Sequence, residues 1–371
     1  MRFDNPTNSL PSLEASPLGI LLQDPKRRHR TAMAESTTVQ KPPPTAKTLV
    51  FDLPTQTLHV EPSHPIPTPN PAKNDHLIHV KATALCAREL DWPTLYPATL
   101  FAENPDKQIT PGYDLAGTVM TSPPGSSFHV GDEIYARTRP SRPGNCREYT
   151  IARTEEMALK PQKLDWVDAA TVPLSALTAW QALFEHGGVK GLDDSSAKGE
   201  KVLVTAAAGG VGVWLVQLAR IAGLHVVAQV GSPEHDKFAR ELGASETINY
   251  KTTSLKEWAR KEGLVDIVFD LLGGDILEEA WFCVKDGGAL VSMFEPPDLR
   301  KPAALEKKDV RSLFFIMEPN GEQLGEISKL IGEGICRPVL DSVWELEDYE
   351  KAFERLNGGH ANGKVVIKVT G

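Results

Sequence analysis

The chain has 371 residues, 41% of them hydrophobic, and a formal net charge of -9. That length exceeds one typical domain and the acidic balance excludes a broad nucleic-acid or anionic-membrane surface, both of which need a basic field. The four cysteines, Cys86, Cys146, Cys283 and Cys336, stand far apart with no C-x-x-C pair, which excludes a disulfide framework and a cysteine-rich zinc lobe. No apolar run reaches the roughly 18 residues of a membrane span, so the expected home is a reducing aqueous compartment, the cytoplasm.

In chain order, residues 1–45 are irregular, with scattered prolines and the runs KRRHR (26–30) and KPPP (41–44), and read as a disordered tail. A mitochondrial presequence is the alternative, although Asp4, Glu14 and Asp24 are out of place in one, and Met33 offers a second start. From residue 47 to about 164, TLVFDL, HLIHVKATALC, AGTVM, DEIYAR and REYTIA read as short strands broken by proline and glycine, a compact β-rich unit. A helix is expected over 166–187.

The pattern then becomes regular. Strands at 201–205, 225–230, a short one ending at 250, 265–271 and 289–294 alternate with helices at 211–222, 233–242, 253–261 and 275–284, which predicts a doubly wound parallel sheet. Residues 310–317 extend that sheet, 322–331 have helical period, and the last segment reads strand, helix, strand outside the alternation. The fold class is therefore α/β, with a β-rich first domain over 46–168, a dinucleotide-binding domain over 169–335, and a return to the first domain over 336–371.

VLVTAAAGGVGVWLVQLAR (202–220) carries the strongest chemical signal. A buried strand, a glycine turn and an apolar helix follow one another, with Ala207, Gly209 and Gly212 at the places of G-x-G-x-x-G. Unpaired N–H groups and the helix dipole at such a start attract a pyrophosphate. About 20 residues on, where an acid would hold a ribose 2′-hydroxyl, the chain has Gly231 and then Ser232, His235 and Lys237, with Tyr250 and Lys251 after the next strand. The missing acid and nearby donors point to a 2′-phosphate and hence to NADPH. Glu234 is the one acid able to swing in, and either lysine alone reads equally as a solvated surface charge.

The ordered motifs PGYDLAGTV (111–119), VGDEIYA (130–136), AATVPLSALTAWQAL (169–183), VLVTAAAGGVG (202–212), ELGASETINY (241–250), DGGALVS (286–292) and GHANGKVVIKV (359–369) resemble the medium-chain dehydrogenase/reductase superfamily, in its zinc-independent quinone oxidoreductase and enoyl reductase branch. The resemblance implies a GroES-like catalytic domain, a Rossmann domain inserted within it, an active site in the cleft between them, and a homodimer formed along the outer Rossmann strand at 310–317. It also implies that Ala208, Gly209, Gly210, Val211 and Gly212 cradle the pyrophosphate and that Ser232, Lys237 and Tyr250 meet the 2′-phosphate. Thr178, Leu272, Gly273, Met293 and Phe294 would lie by the nicotinamide ribose, with Lys364 reaching the cofactor from the final strand. For Leu272 and Phe294 core packing is the competing reading.

Zinc members of the superfamily have a cysteine in the first catalytic segment and a G-H-E segment downstream. Here Cys86 stands in the former place but Gly112-Tyr113-Asp114 in the latter, and without the histidine no metal is expected. The implied chemistry is hydride transfer from NADPH to a quinone or an α,β-unsaturated carbonyl. The resemblance places Tyr113, Glu89 and Tyr96 in segments facing the cleft as proton-donor candidates, with water as the alternative. A zinc alcohol dehydrogenase, a non-catalytic NADPH-binding protein and a biosynthetic enzyme for one bulky unsaturated intermediate are the rival readings. The loop 97–110 and the segment 295–309 are expected to shape the acceptor end of the cleft.

Overall fold

The computed structural model describes residues 41–192 and 195–371; the tail expected over 1–45 lies outside them up to residue 40. A hairpin opens the described chain, β1 (Thr45–Asp52) against β2 (Thr57–Pro65). The long β3 (Asp75–Ala84) follows, then two single-turn helices, α1 (Trp92–Leu95) and α2 (Pro97–Leu100), each opened by a proline in its first turn, where the missing N–H costs nothing. Next come β4 (Asp114–Thr121), β5 (Glu133–Arg137), β6 (Tyr149–Arg153) and β7 (Met157–Leu159).

The helix expected over 166–187 is three pieces. α3 (Trp166–Ala170) stops before Pro173, which restarts the chain as α4 (Pro173–Trp180), and residues Gln181–His186 wind on as a π-type turn.

The regular half follows with β8 (Lys201–Val204), α5 (Gly212–Ile221), β9 (His225–Val230), α6 (Pro233–Leu242), β10 (Glu246–Asn249), α7 (Leu255–Glu262), β11 (Val265–Asp270), α8 (Gly274–Ala280), β12 (Val284–Ser292) and β13 (Arg311–Phe314). All neighbours in this sheet are parallel, in the order β10-β9-β8-β11-β12-β13. The order reverses between β8 and β11, where a crevice opens beyond the strands' carboxyl ends. Helix ends are set locally. Ser232 caps α6 by accepting the His235 N–H, Gly243 closes it at φ 116°, and Ser254 and Glu257 form a capping box on α7.

α9 (Gly321–Gly332) leads out of this half, and β14 (Leu340–Glu345), α10 (Tyr349–Asn357) and β15 (Lys364–Lys368) complete the chain. Both late strands join the first sheet, whose order is β14-β15-β3-β4-β5-β7 with β6 also on β3. One apolar core runs across both halves. Ala82, Ala116 and Tyr135 of the first sheet pack with α4, α5 and α9, and the Tyr135 hydroxyl donates to the Leu324 carbonyl at 2.9 Å.

Between β8 and α5, Ala206 has φ 45°, a left-handed conformation that costs an L-residue roughly 1–2 kcal/mol. Ala206→Gly is expected to raise unfolding stability by about 0.5–1 kcal/mol, after the added freedom of glycine in the unfolded chain is subtracted. Urea unfolding measures it, and an unchanged or lower stability would argue that this turn is not strained in solution.

Candidate active site

The glycine turn has the features of an anion cradle. The N–H groups of Gly210, Val211 and Gly212 donate to no acceptor among the described residues, and they stand at the start of the buried helix α5. Ala208 accepts from the Gly363 N–H at 3.0 Å, and Gly209 bridges Gly363 in parallel, so the turn is tied to the residue before Lys364. A Cβ on Gly210 would lie 3.0 Å from Lys364 Cδ and 3.1 Å from Ser175 Oγ. Ser175 is buried, with a hydroxyl that has no partner. That is the orphan expected where a ligand completes the hydrogen bonding.

At the ends of β8, β11 and β12 a buried network shapes the next two loops. Asp270 accepts from the Ser292 hydroxyl at 2.8 Å and the Gly273 N–H at 3.0 Å, and Thr205 accepts from the Leu271 N–H at 2.8 Å. Gly273 is backed by Phe294, whose Cδ1 would be 2.3 Å from any Cβ there. The structure thus brings Leu272, Gly273, Met293 and Phe294 to one place, with Leu272 and Phe294 exposed rather than in the core. Thr178 is buried and donates its hydroxyl to the Leu174 carbonyl at 2.6 Å.

Beyond the ends of β9 and β10, Tyr250 lies across Gly231, where a Cβ would sit 2.4 Å from the phenol oxygen. A larger residue at 231 would have to displace the exposed Tyr250 ring. Ser232 serves as helix cap and also hydrogen-bonds Glu234, which lowers the Glu234 carboxyl below its usual range. Lys237 is turned to Glu241 on its own helix at 3.9 Å, with its side chain 81% exposed.

A buried polar cluster meets the turn from the other domain. Asp114 on β4 accepts from the Leu174 N–H at 2.6 Å and lies 3.2 Å from Lys364 Nζ, an ion pair whose geometry falls short of a full hydrogen bond. Burial alone would push the Lys364 ammonium down, but Asp114, Cys86 and Glu89 outweigh it and hold it above 10.5. Glu89 is buried, its two oxygens accepting from the Cys86 N–H at 3.3 Å and the Gly112 N–H at 3.2 Å, and burial raises its carboxyl to about 8. Burial also lifts the Cys86 thiol to about 11 and the Tyr113 phenol above its normal range. Tyr113 stacks on Trp92 at 5.6 Å, while Tyr96 is half-buried outside this stack. Arg88 lies over the Phe294 ring at 5.6 Å and so links the two domains.

The donors around Cys86 do not suit zinc. Its charged neighbours are the Lys364 ammonium, the Arg137 guanidinium, the Glu89 carboxyl already accepting two backbone N–H groups, and Asp114 already paired with Lys364. Among the described residues no group of three or more His, Cys, Asp or Glu could hold a metal ion. Sequence reasoning missed Ser175, Trp92, Asp270, Ser292 and Arg137, and it named Asp114 only in the zinc comparison.

A parallel dinucleotide-type sheet and a β-rich domain facing each other across a buried polar cluster define a two-domain oxidoreductase. Residues 72–168 match the alcohol dehydrogenase GroES-like domain and residues 242–367 the zinc-binding dehydrogenase family. The chain is 47% identical, over 91% of its length and 100% of the relative's, to a probable zinc-binding oxidoreductase, mitochondrial, of Arthroderma benhamiae. It is 32% identical to the mouse NAD(P)H oxidoreductase RTN4IP1, mitochondrial, over 70% of each chain. The quinone oxidoreductase of Coxiella burnetii superposes with a TM-score of 0.74 at 28% identity, covering 87% of this chain and 99% of that one. The chain belongs to the medium-chain dehydrogenase/reductase superfamily, as an NAD(P)H-dependent oxidoreductase of the quinone oxidoreductase type. No helix among the described residues is long and apolar enough to cross a membrane.

Proposed function

We propose that the protein reduces a quinone or an α,β-unsaturated carbonyl with NADPH and without zinc. The observation that carries this reading is the contact of the glycine turn with the polar cluster, since Gly210 rests on Lys364 and Lys364 on Asp114. A bound reduced nicotinamide supplies hydride, and holding the acceptor against it is most of the work. Turnover of quinones and enones by metal-stripped protein, followed as loss of reduced-nicotinamide absorbance, tests the reading. Activity that appears only on adding zinc would overturn it.

NADPH over NADH is supported by the missing acid at Gly231 and the donors Ser232 and Tyr250. Glu234 beside Ser232 is the group that would favour a free 2′-hydroxyl. NADPH is expected to bind at least about tenfold more tightly, roughly 1.4 kcal/mol. Equal affinities in a fluorescence titration would count against it. The names of both relatives favour the mitochondrion over the cytoplasm, and imaging of the full chain tagged at its C-terminus separates the two.

Glu89 is the proton donor this reading favours, because it is a buried carboxyl that keeps its proton at neutral pH. Activity should therefore hold below about pH 8 and fall above it, and Glu89→Gln should lower kcat and abolish that limb. Stability runs the same way. The native state binds the proton more tightly than the unfolded chain, so this contribution is whole below 4.5 and is lost as pH rises through about 8. Glu89→Gln should melt higher than wild type near about pH 9 and show no such gain near about pH 4. An unchanged alkaline limb in the variant would remove Glu89 from the reaction.

A further inference from the structure

Arg137 is the cation of the cleft cluster that no carboxylate engages. It ends β5 directly opposite Asp114 in the antiparallel register, so both side chains leave the same face of the sheet. Yet Arg137 makes no ion pair among the described residues, Asp114 being held by Lys364 and the Leu174 N–H. Its guanidinium lies instead 5.1 Å from the Tyr113 ring centre and 5.9 Å from that of Trp92. Nη1 donates to the Thr138 carbonyl, and among the described residues Nε is buried with no partner and Nη2 is the nitrogen that is neither paired nor fully buried. The residue as a whole is only 4% exposed. A buried guanidinium with unused donors is costly unless something completes it.

The charges around it are unbalanced. Lys364 and Arg137 are positive and Asp114 is negative, whereas Cys86 and Tyr113 are neutral and Glu89 is protonated at neutral pH. Lys364 and Arg137 thus outnumber the one carboxylate beside them, Asp114, and the cluster leans positive, in surroundings where an arriving negative charge is strongly favoured.

We infer that Arg137 holds the carbonyl oxygen of an enone or quinone acceptor and stabilises the negative charge that this oxygen gains on reduction, with the half-buried Trp92 indole beside it. This rests on the reductase reading above. The acceptor's β-carbon takes hydride with its electron pair from the reduced dinucleotide, which is oxidised. The C=C pair shifts to join the α-carbon to the carbonyl carbon, and the C=O pair moves onto oxygen. A proton given by Glu89 then adds to the α-carbon as the carbonyl re-forms, which leaves Glu89 as the carboxylate. Arg137 donates hydrogen bonds throughout and gives up no proton.

The test compares Arg137→Met and Arg137→Lys in the full chain with two readouts, turnover of an enone and equilibrium binding of 4-nitrophenolate, an oxyanion mimic, to dinucleotide-loaded protein. Arg137→Met should lower kcat and nitrophenolate affinity about tenfold each while dinucleotide affinity stays at the wild-type value. Arg137→Lys keeps the buried charge but not the planar fork, so it should fold even where the methionine variant fails, and lose several-fold in both. Wild-type protein that reduces no enone or quinone yet binds nitrophenolate through Arg137 would leave the oxygen site standing and bring down the reductase reading. Turnover and nitrophenolate binding that ignore Arg137, no nitrophenolate binding by wild type, or a loss confined to dinucleotide affinity would overturn the inference.

Discussion

Lys364→Met is expected to lower the free energy of unfolding by about 3–5 kcal/mol, the cost of leaving one partner of a buried ion pair alone. The Lys364 side chain is 6% exposed and that of Asp114 is 0% exposed, so water cannot take over the missing charge. Methionine matches the aliphatic stem, which packs against Gly210, and the loss therefore falls on the carboxylate, left with the Leu174 N–H alone. Arg137 stands opposite Asp114 in the sheet but makes no ion pair with it, so among the described residues no second cation is in contact with the carboxylate. Adding Asp114→Asn should recover much of the loss, since a neutral pair avoids the stranded charge, and the recovery is the coupling that a double-mutant cycle reads. Asp114, with Cys86 and Glu89, outweighs burial and raises the Lys364 ammonium above 10.5, so on the alkaline side this contribution is complete below 10.5 and is lost as pH rises through the raised value; it also needs Asp114 ionised, and burial raises that carboxyl above 3.8. A loss under about 1 kcal/mol in urea unfolding would mean that the pair is hydrated in solution, as surface pairs are.

Sequence alone revealed the parallel sheet because strands buried on both faces are continuous apolar runs. VLV at 202–204 and IVF at 267–269 leave little room for another reading. β2 escaped because it lies half in solvent, mixes polar residues with Pro62 and Pro65, and pairs only with β1. β12 begins at Val284 rather than 289, since its polar first half, KDGG, reads as a turn while the backbone is already extended. The glycine turn was legible because a ligand cradle made of backbone needs small residues in a fixed order.

Side-chain partnerships across the cleft were not legible in this way. Lys364 was expected to reach the cofactor, but its bond to Asp114 depends on β15 returning to the sheet of β4. Arg137 looks no different in sequence from Arg139 and Arg142, which pair with Glu318 and Glu156. The one available signal was the two-residue period of EIYAR, which puts Arg137 on the same face as the buried Tyr135.

Gly209→Val is expected to weaken dinucleotide binding on the order of 1,000-fold, roughly 4 kcal/mol, with the fold retained. A Cβ at 209 would meet only the Ala206 carbonyl oxygen, at 3.2 Å, and otherwise open space. The backbone there lies outside the left-handed region, so a side chain adds no strain of its own. It would enter the space beside the unpaired N–H groups of Gly210, Val211 and Gly212, where the pyrophosphate is proposed to lie. Gly212, which serves the same motif, is a poorer probe. Its Cβ would be 2.3 Å from the Ala206 carbonyl oxygen and 2.7 Å from Ala207 Cα, so Gly212→Ala must deform the turn, and lost binding would not distinguish a blocked site from a broken one. At Gly210 the neighbours within 3.1 Å are the side chains of Lys364 and Ser175, which can give way. Gly209 is therefore the position where cofactor binding and folding separate. A Gly209→Val protein that melts like wild type and still binds NADPH with near-native affinity would put the pyrophosphate somewhere other than this turn.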